Sequence, residues 1–219
     1  NAPRGMRDFL PPDKLKRERL IATVVESYIA RGFQQIETPV LEDLGRLTSG
    51  QGGDNKKLVF KVQKRGEEFT QALEQGEELA DLGLRFDLTV PLTRFYASNH
   101  SKLPRVFKAI QTGPVFRAER PQKGRYRQFT QFNVEAIGDA GPGIDIEVIE
   151  LGASFLVALG LRDVEVHFNS VGCAACRPAY SAALTAHFAP IEAELGEVDL
   201  PARLLEEGVE AGEGLQVGL

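Results

Sequence analysis

The stretch Val115-Phe116-Arg117-Ala118-Glu119-Arg120-Pro121-Gln122-Lys123-Gly124-Arg125-Tyr126-Arg127-Gln128-Phe129-Thr130-Gln131-Phe132-Asn133-Val134-Glu135 reads as a strand, a tight polar loop and a second strand. Side chains alternate between the two faces of a strand. On the first strand Arg117 and Glu119 share a face. On the second, Phe129, Gln131, Asn133 and Glu135 share one face, and Thr130, Phe132, Val134 and Ala136 share the other. The apolar set suits packing on a core helix. The polar set puts an arginine, two carboxylates and two amides on neighbouring strands. The solvated side of an antiparallel sheet would be the plain explanation, since one-sided solvation is common. Two features argue for more. The loop holds Arg120, Lys123, Arg125 and Arg127, four cations within eight residues and no acid. In a chain of net charge −5 that is a local anion site. Phe129 adds a ring to the same polar side. Cations beside a ring and hydrogen-bonding carboxylates suit a nucleotide, phosphates on the arginines and base on the ring.

Outward from this stretch, helices and strands come in an order that favours an α+β fold, an antiparallel sheet flanked by helices. Residues 14–31 are expected to form a helix, with Leu15, Leu20, Ile21, Val24, Val25, Tyr28 and Ile29 on one face. Pro11, Pro12 and Asp13 are its start signals and Gly32 its stop. Residues 33–40 read as a short strand, with Pro39 at its end or on an edge. Residues 45–57 read as a loop, 58–62 as a strand, 66–69 as a turn, and the acidic run 67–81 as a solvated, partly helical insert. A strand is expected over 84–86, ending at Asp87, then a helix over 89–98. Residues 145–159 and 177–188 read as helices, and 164–168 as a strand.

The 219 residues are enough for a sizeable core without disulfides or structural metal. The net charge excludes a uniformly basic nucleic-acid coat. No apolar run approaches the roughly 20 residues a membrane span needs. Two cysteines give no disulfide framework, and residues 1–5 show no signal-peptide core, so a cytoplasmic protein is expected. Cys173-Ala174-Ala175-Cys176 is a single CxxC. One pair cannot close a four-ligand zinc site, and His167 and His187 lack the spacing to complete it. A structural role is the simpler reading, and no metal site is expected.

Phe116-Arg117-x-Glu119-Arg120-Pro121-Gln122-x-Gly124-Arg125-x-Arg127-x-Phe129-x-Gln131 resembles motif 2 of the class II aminoacyl-tRNA synthetases, specifically the histidyl-tRNA synthetases. Leu84-Arg85-Phe86-Asp87-Leu88-Thr89-Val90-Pro91 looks like that family's amino-acid-binding strand and turn. Residues 32–42 are similar to its motif 1, and Pro3-Arg4-Gly5-Met6-Arg7-Asp8-Phe9-Leu10-Pro11 to its N-terminal segment. Asn169-Ser170-Val171-Gly172-Cys173 through Tyr180 looks like a strand and helix of its catalytic domain. The resemblance covers about residues 3–188. It implies a catalytic core over 1–188, with 189–219 a short acidic tail.

The resemblance also implies roles. Arg117 would contact the ATP α-phosphate and the amino-acid carboxylate, and is the expected catalytic residue. Glu119 would accept from the adenine amino group, Arg125 would bind the γ-phosphate, and Phe129 would stack on adenine. Mg²⁺ is expected with the triphosphate. Asp87, Thr89 and Gln131 would hold the histidine α-ammonium, and Glu135 would reach the imidazole. Asp87 alone reads equally well as a helix N-cap. The implied reaction activates histidine with ATP to histidyl-adenylate and transfers it to tRNA(His), whose acceptor end should approach the motif 2 loop. Motif 1 implies a homodimer. Neither the family's Gly-rich motif 3 nor its anticodon-binding domain has a match here, so the chain reads as the front portion of a catalytic domain. The alternative is the regulatory subunit of ATP phosphoribosyltransferase, a histidine-sensing paralogue that shares the synthetase-like domain.

Overall fold

A computed structural model describes residues 1–49, 55–167 and 172–191. The chain divides into two compact units, Asn1–Val164 and Glu165–Leu219.

The first unit opens with helix α1, Pro11–Ile29. Two prolines sit in its first turn, where a missing N–H costs nothing. Asp13 faces the positive end of the helix dipole. Only the second half of the helix is buried, through Val24, Val25 and Tyr28. Leu15, Leu20 and Ile29, expected on the same buried face, are exposed. Gly32, at φ 85°, takes the left-handed backbone that turns the chain away. The expected strand over 33–40 is instead two pieces, β1 (Gln34–Gln35) and β2 (Leu41–Asp43), in different sheets. Pro39 lies between them, consistent with a residue that cannot donate to a ladder. Helices α2 (Leu44–Thr48) and α3 (Asn55–Leu58) occupy part of what reads as a loop. Strand β3 (Phe60–Gln63) follows, and then α4 (Gly66–Gln75), a helix where a turn over 66–69 and a partly helical insert over 67–81 are expected. Gly76, at φ 67°, ends α4 in a left-handed cap. Strand β4 (Ala80–Leu84) lies upstream of the strand expected at 84–86. Its extent was hidden because Asp81 and Gly83 break the apolar pattern.

Helix α5 (Thr89–Asn99) leads to the two long strands β5 (Phe107–Phe116) and β6 (Gln128–Ile137). Helix α6 (Pro142–Ala158) closes the unit. Strands β1, β5 and β6 form one sheet in that order. The β5–β6 pair is antiparallel and runs in register along all ten residues of each strand; β1 adds a short parallel pairing. The second sheet, β2-β4-β3, is antiparallel and carries its own small core of Leu44, Leu47, Val59, Ala80 and Phe86.

The β5–β6 ladder separates two environments. Ile110, Phe132 and Val134 lie on one face and pack with Val24, Val25 and Tyr28 of α1 and Leu151 and Phe155 of α6. Tyr28, Phe132 and Phe155 meet as an aromatic cluster with ring centroids 5.4–6.5 Å apart. On the opposite face, Phe107 and Ala109 pack with Leu92 of α5. That face is apolar only at this end. Helix α5 is tied to β2 by the ion pair between Arg94 Nε and the buried Glu42 Oε2, 2.6 Å apart.

Arg85 joins the two sheets. It is 4% exposed. Its Nη1 donates to the carbonyls of Thr38 (2.7 Å) and Pro39 (3.3 Å), and its Nε to that of Pro114 (3.0 Å). The guanidinium lies against Gly113, where a Cβ would stand 2.3 Å from Nη2.

In the second unit, α7 (Arg177–Phe188) matches its expected span. Residues 165–167 are not a strand, and neither is Val164 before them. Phe168, Asn169, Ser170 and Val171 lie outside the described residues, as does most of the acidic tail.

Gly113→Ala is expected to lower the unfolding free energy by about 1–3 kcal/mol, the usual range for overpacking. The effect should appear as a lower urea midpoint at unchanged slope. An unchanged midpoint would show that the guanidinium moves aside freely.

Candidate active site

The register places the site residues on one face. Val115 stands opposite Phe129, Gly113 opposite Gln131, Gln111 opposite Asn133, and Ala109 opposite Glu135. Directly opposed residues of an antiparallel pair point to the same side. The sheet face that α5 covers at one end therefore carries Phe129, Gln131, Asn133 and Glu135 along the rest of its length, as the alternation predicts.

At the loop end, the Arg117 guanidinium lies 5.1 Å from the centre of the Phe129 ring. Its Nε donates to Phe86 O at 3.3 Å. The strand itself stops at Phe116, so Arg117 and Glu119 belong to the loop rather than to a continuing strand. One bond prolongs the ladder past the strand end, from Arg117 N to Arg127 O at 2.9 Å. The loop tip is a tight turn in which Gln122 and Arg125 exchange backbone bonds of 3.0 and 3.1 Å. Gly124, at φ 81°, supplies the conformation such a turn requires.

The four loop cations do not form one anion site. Arg125 Nη2 pairs with Glu119 Oε2 at 2.5 Å. Arg127 is used structurally, its Nε donating to Glu119 O at 2.9 Å and its backbone N–H to Gly5 O at 2.7 Å. Arg120 and Lys123 are exposed. Glu119 and Arg125, expected to serve a base and a phosphate separately, hold each other.

At the far end, Glu135 Oε1 accepts from Asn133 Nδ2 at 3.0 Å and from Thr89 Oγ1 at 3.3 Å. Burial pushes the Glu135 carboxyl above the ordinary range, opposed by these two hydrogen bonds. Asp87 Oδ1 accepts from Val90 N at 3.2 Å, so it caps the start of α5. That cap points Thr89 at Glu135. Gln131 Oε1 is buried without a hydrogen-bond partner among the described residues. An orphaned buried acceptor is costly, and a ligand donor at this point would relieve it.

Several participants escape a reading of the sequence by alternation. Gln111, 1% exposed, donates from Nε2 to Leu88 O at 2.6 Å and accepts from Thr38 Oγ1 at 3.0 Å. It thereby holds the turn before α5. Arg85 looks like one more alternating polar residue. The available signal was Gly113, since a glycine inside a strand often marks a close approach. The N-terminal segment is a third case. Arg7 lies 4.4 Å from the Tyr126 ring centre and 4.7 Å from that of Phe9, and Arg17 lies 4.2 Å from Phe9. Arg17 also donates to Thr130 Oγ1. This stack fastens residues 5–9 to the loop.

Among the described residues no group of three His, Cys, Asp or Glu is placed to hold a metal ion.

A buried carboxyl with its folded pKa raised binds more protons folded than unfolded. Its contribution to stability is present below about pH 4.3 and is lost as pH rises through the folded pKa. Glu135→Gln is expected to remove that fall and flatten the stability–pH curve measured in urea. Asn133→Ala should raise the Glu135 pKa further, read by carboxyl ¹³C NMR. A carboxyl that titrates unchanged in that variant would refute the hydrogen-bond account.

Comparison with known proteins places these residues in context. The family described as Histidyl-tRNA synthetase matches residues 5–176. A histidine–tRNA ligase of Leifsonia xyli is 52% identical over 172 residues, covering 76% of this chain and 40% of the relative. One from Desulforudis audaxviator is 40% identical over 195 residues, covering 88% and 44%. Among solved structures, apo histidyl-tRNA synthetase of S. aureus matches with a TM-score of 0.64 at 27% identity, covering 87% of this chain and 43% of that one. A Bacillus halodurans protein described as an ATP phosphoribosyltransferase regulatory subunit/histidyl-tRNA synthetase matches with a TM-score of 0.60 at 28% identity, covering 74% and 38%. The chain spans about two fifths of the length of these relatives.

Proposed function

Because the chain belongs to the histidyl-tRNA synthetase family, we propose that it carries the ATP- and histidine-binding face of a histidine–tRNA ligase. In this reading the histidine carboxylate attacks the α-phosphorus of ATP. The bond to the β-phosphate oxygen breaks, giving histidyl-adenylate and pyrophosphate. The tRNA(His) terminal hydroxyl then attacks the acyl carbonyl and AMP leaves.

The observation that carries this reading is the sharing of one strand face. Phe129 beneath Arg117 lies at one end and the Glu135–Thr89–Asn133 cluster at the other. Six residues of strand separate Phe129 from Glu135, about 20 Å at the usual rise. A nucleotide and an amino acid can lie end to end over that length. Arg117, already held by Phe86 O, would stabilise charge building on the α-phosphate without reorganising. Phe129 would stack on adenine while Glu119 accepts from the amino group and Arg125 binds the γ-phosphate, once their mutual ion pair opens. Asp87, Thr89 and Gln131 would take the α-ammonium, the orphaned Gln131 oxygen gaining a donor. Glu135 would select the imidazole, since an apolar amino acid would leave its carboxyl unpaired. Exposed Arg120 and Lys123 would meet the acceptor end of tRNA.

We infer a homodimer through α1, which leaves Leu15, Leu20 and Ile29 exposed. A cytoplasmic setting accords with the exposed free thiols; among the described residues no helix is long and apolar enough to cross a membrane.

Arg117→Ala is expected to lower histidine-dependent ATP–pyrophosphate exchange by about 10²–10³-fold, as for loss of one transition-state donor. Circular dichroism should be unchanged. Retained exchange would overturn the role of Arg117. Histidine binding with no exchange in the parent would favour the regulatory-subunit reading that the Bacillus halodurans description allows. Sedimentation at micromolar concentration is expected at twice the chain mass, and a monomer would count against the α1 interface.

A further inference from the structure

Cys173 and Cys176 take no part in the proposed synthetase chemistry, yet their geometry is specific. Both are exposed, and their sulfurs lie 3.5 Å apart. The chain turns between them and enters α7 directly, with Arg177 N donating to Cys173 O at 2.9 Å and Tyr180 N to Cys176 O at 3.1 Å. Cys173 N donates to Cys176 Sγ at 3.0 Å. Gly172, at φ 77°, makes room for that sulfur, since a Cβ there would stand 2.4 Å from it. Cys176 N–H donates to Cys173 O at 3.2 Å, closing the turn. Hydrogen bonding in this turn, from the backbone and from the Cys176 thiol, lowers the Cys173 thiol from the ordinary cysteine range. Such a thiol is more fully ionised near neutral pH, and the thiolate is the nucleophile. Among the described residues no further His, Cys, Asp or Glu completes a metal site around the pair.

We propose that Cys173 and Cys176 form a redox-active dithiol that exchanges with low-molecular-weight disulfides, Cys173 attacking and Cys176 resolving. The Cys173 thiolate attacks one sulfur of the disulfide. The electron pair of the broken S–S bond leaves on the other sulfur, which takes a proton as free thiol. The first sulfur is now in mixed disulfide with Cys173. Cys176 gives its proton to solvent and attacks Cys173 Sγ, expelling the second thiolate. The protein dithiol is oxidised to a disulfide, and one small disulfide is reduced to two thiols. The sulfurs need only close from 3.5 Å to about 2.05 Å, the length of the bond. This activity is independent of ATP and histidine.

The test is intact-mass spectrometry of the protein after exposure to oxidised glutathione at pH 7. The parent is expected to lose two hydrogens and retain no glutathione. Cys176→Ser should stop at the first step, holding one glutathione on Cys173. Cys173→Ser should react several-fold more slowly. Three results would each overturn the proposal. The parent could stay reduced under a large excess of oxidised glutathione. The two single variants could react equally fast. Stoichiometric zinc uptake could protect both sulfurs from alkylation.

Discussion

A single buried guanidinium sets the geometry of this unit. Arg85 reaches three carbonyls, those of Thr38, Pro39 and Pro114, which belong to segments far apart in sequence. Burying a charge is expensive unless its donors are satisfied. Burial lowers the Arg85 pKa from its usual value, but an arginine remains charged in a protein. Charge-assisted bonds to carbonyls offset the lost hydration. The same residue continues the backbone ladder, its carbonyl accepting from Phe116 N and its N–H donating to Val40 O. Two residues later comes Asp87, and then Thr89. The position of Asp87 and Thr89 thus depends on how Arg85 sits over Gly113.

Strands β5 and β6 divide their labour by face. One side is dry and aromatic, closed by α1 and α6. The other begins apolar under α5 and becomes polar toward the loop. The dry side carries the packing, so the polar side can hold groups whose hydrogen bonding is incomplete. Gln131 Oε1, orphaned, and Glu135, pushed toward its neutral form, are held in place by a core that bears the stability. Departures of this kind from full polar satisfaction are where a fold trades stability for function.

Alternation along 128–137 was enough to assign both faces of β6, because a strand in a two-sided sheet has no other way to point its side chains. The same rule failed just beyond Phe116, where the chain leaves the ladder and Glu119 turns to Arg125. Charge counting also misled, since it cannot see that Arg127 is held by the carbonyls of Glu119 and Gly5. Helix α7 was legible over its full span. Strand β1 falls inside the strand expected over 33–40, but its shortness and the separate β2 beyond Pro39 were not legible, since such short pieces leave no period to read. Arg85 and Gln111 were invisible for a different reason. Both donate to carbonyls distant in sequence, and no residue type announces a carbonyl.

The Glu119–Arg125 contact gives the loop a form of coincidence logic. A bare anion that attracts Arg125 strands Glu119 without its cation. A neutral donor that satisfies Glu119 leaves Arg125 facing solvent. Only a molecule presenting a donor edge and a negative group together, at the correct separation, repays both halves of the broken pair. A free anion or a free donor replaces only one half of this partly exposed pair, whose opening costs about 0–1 kcal/mol.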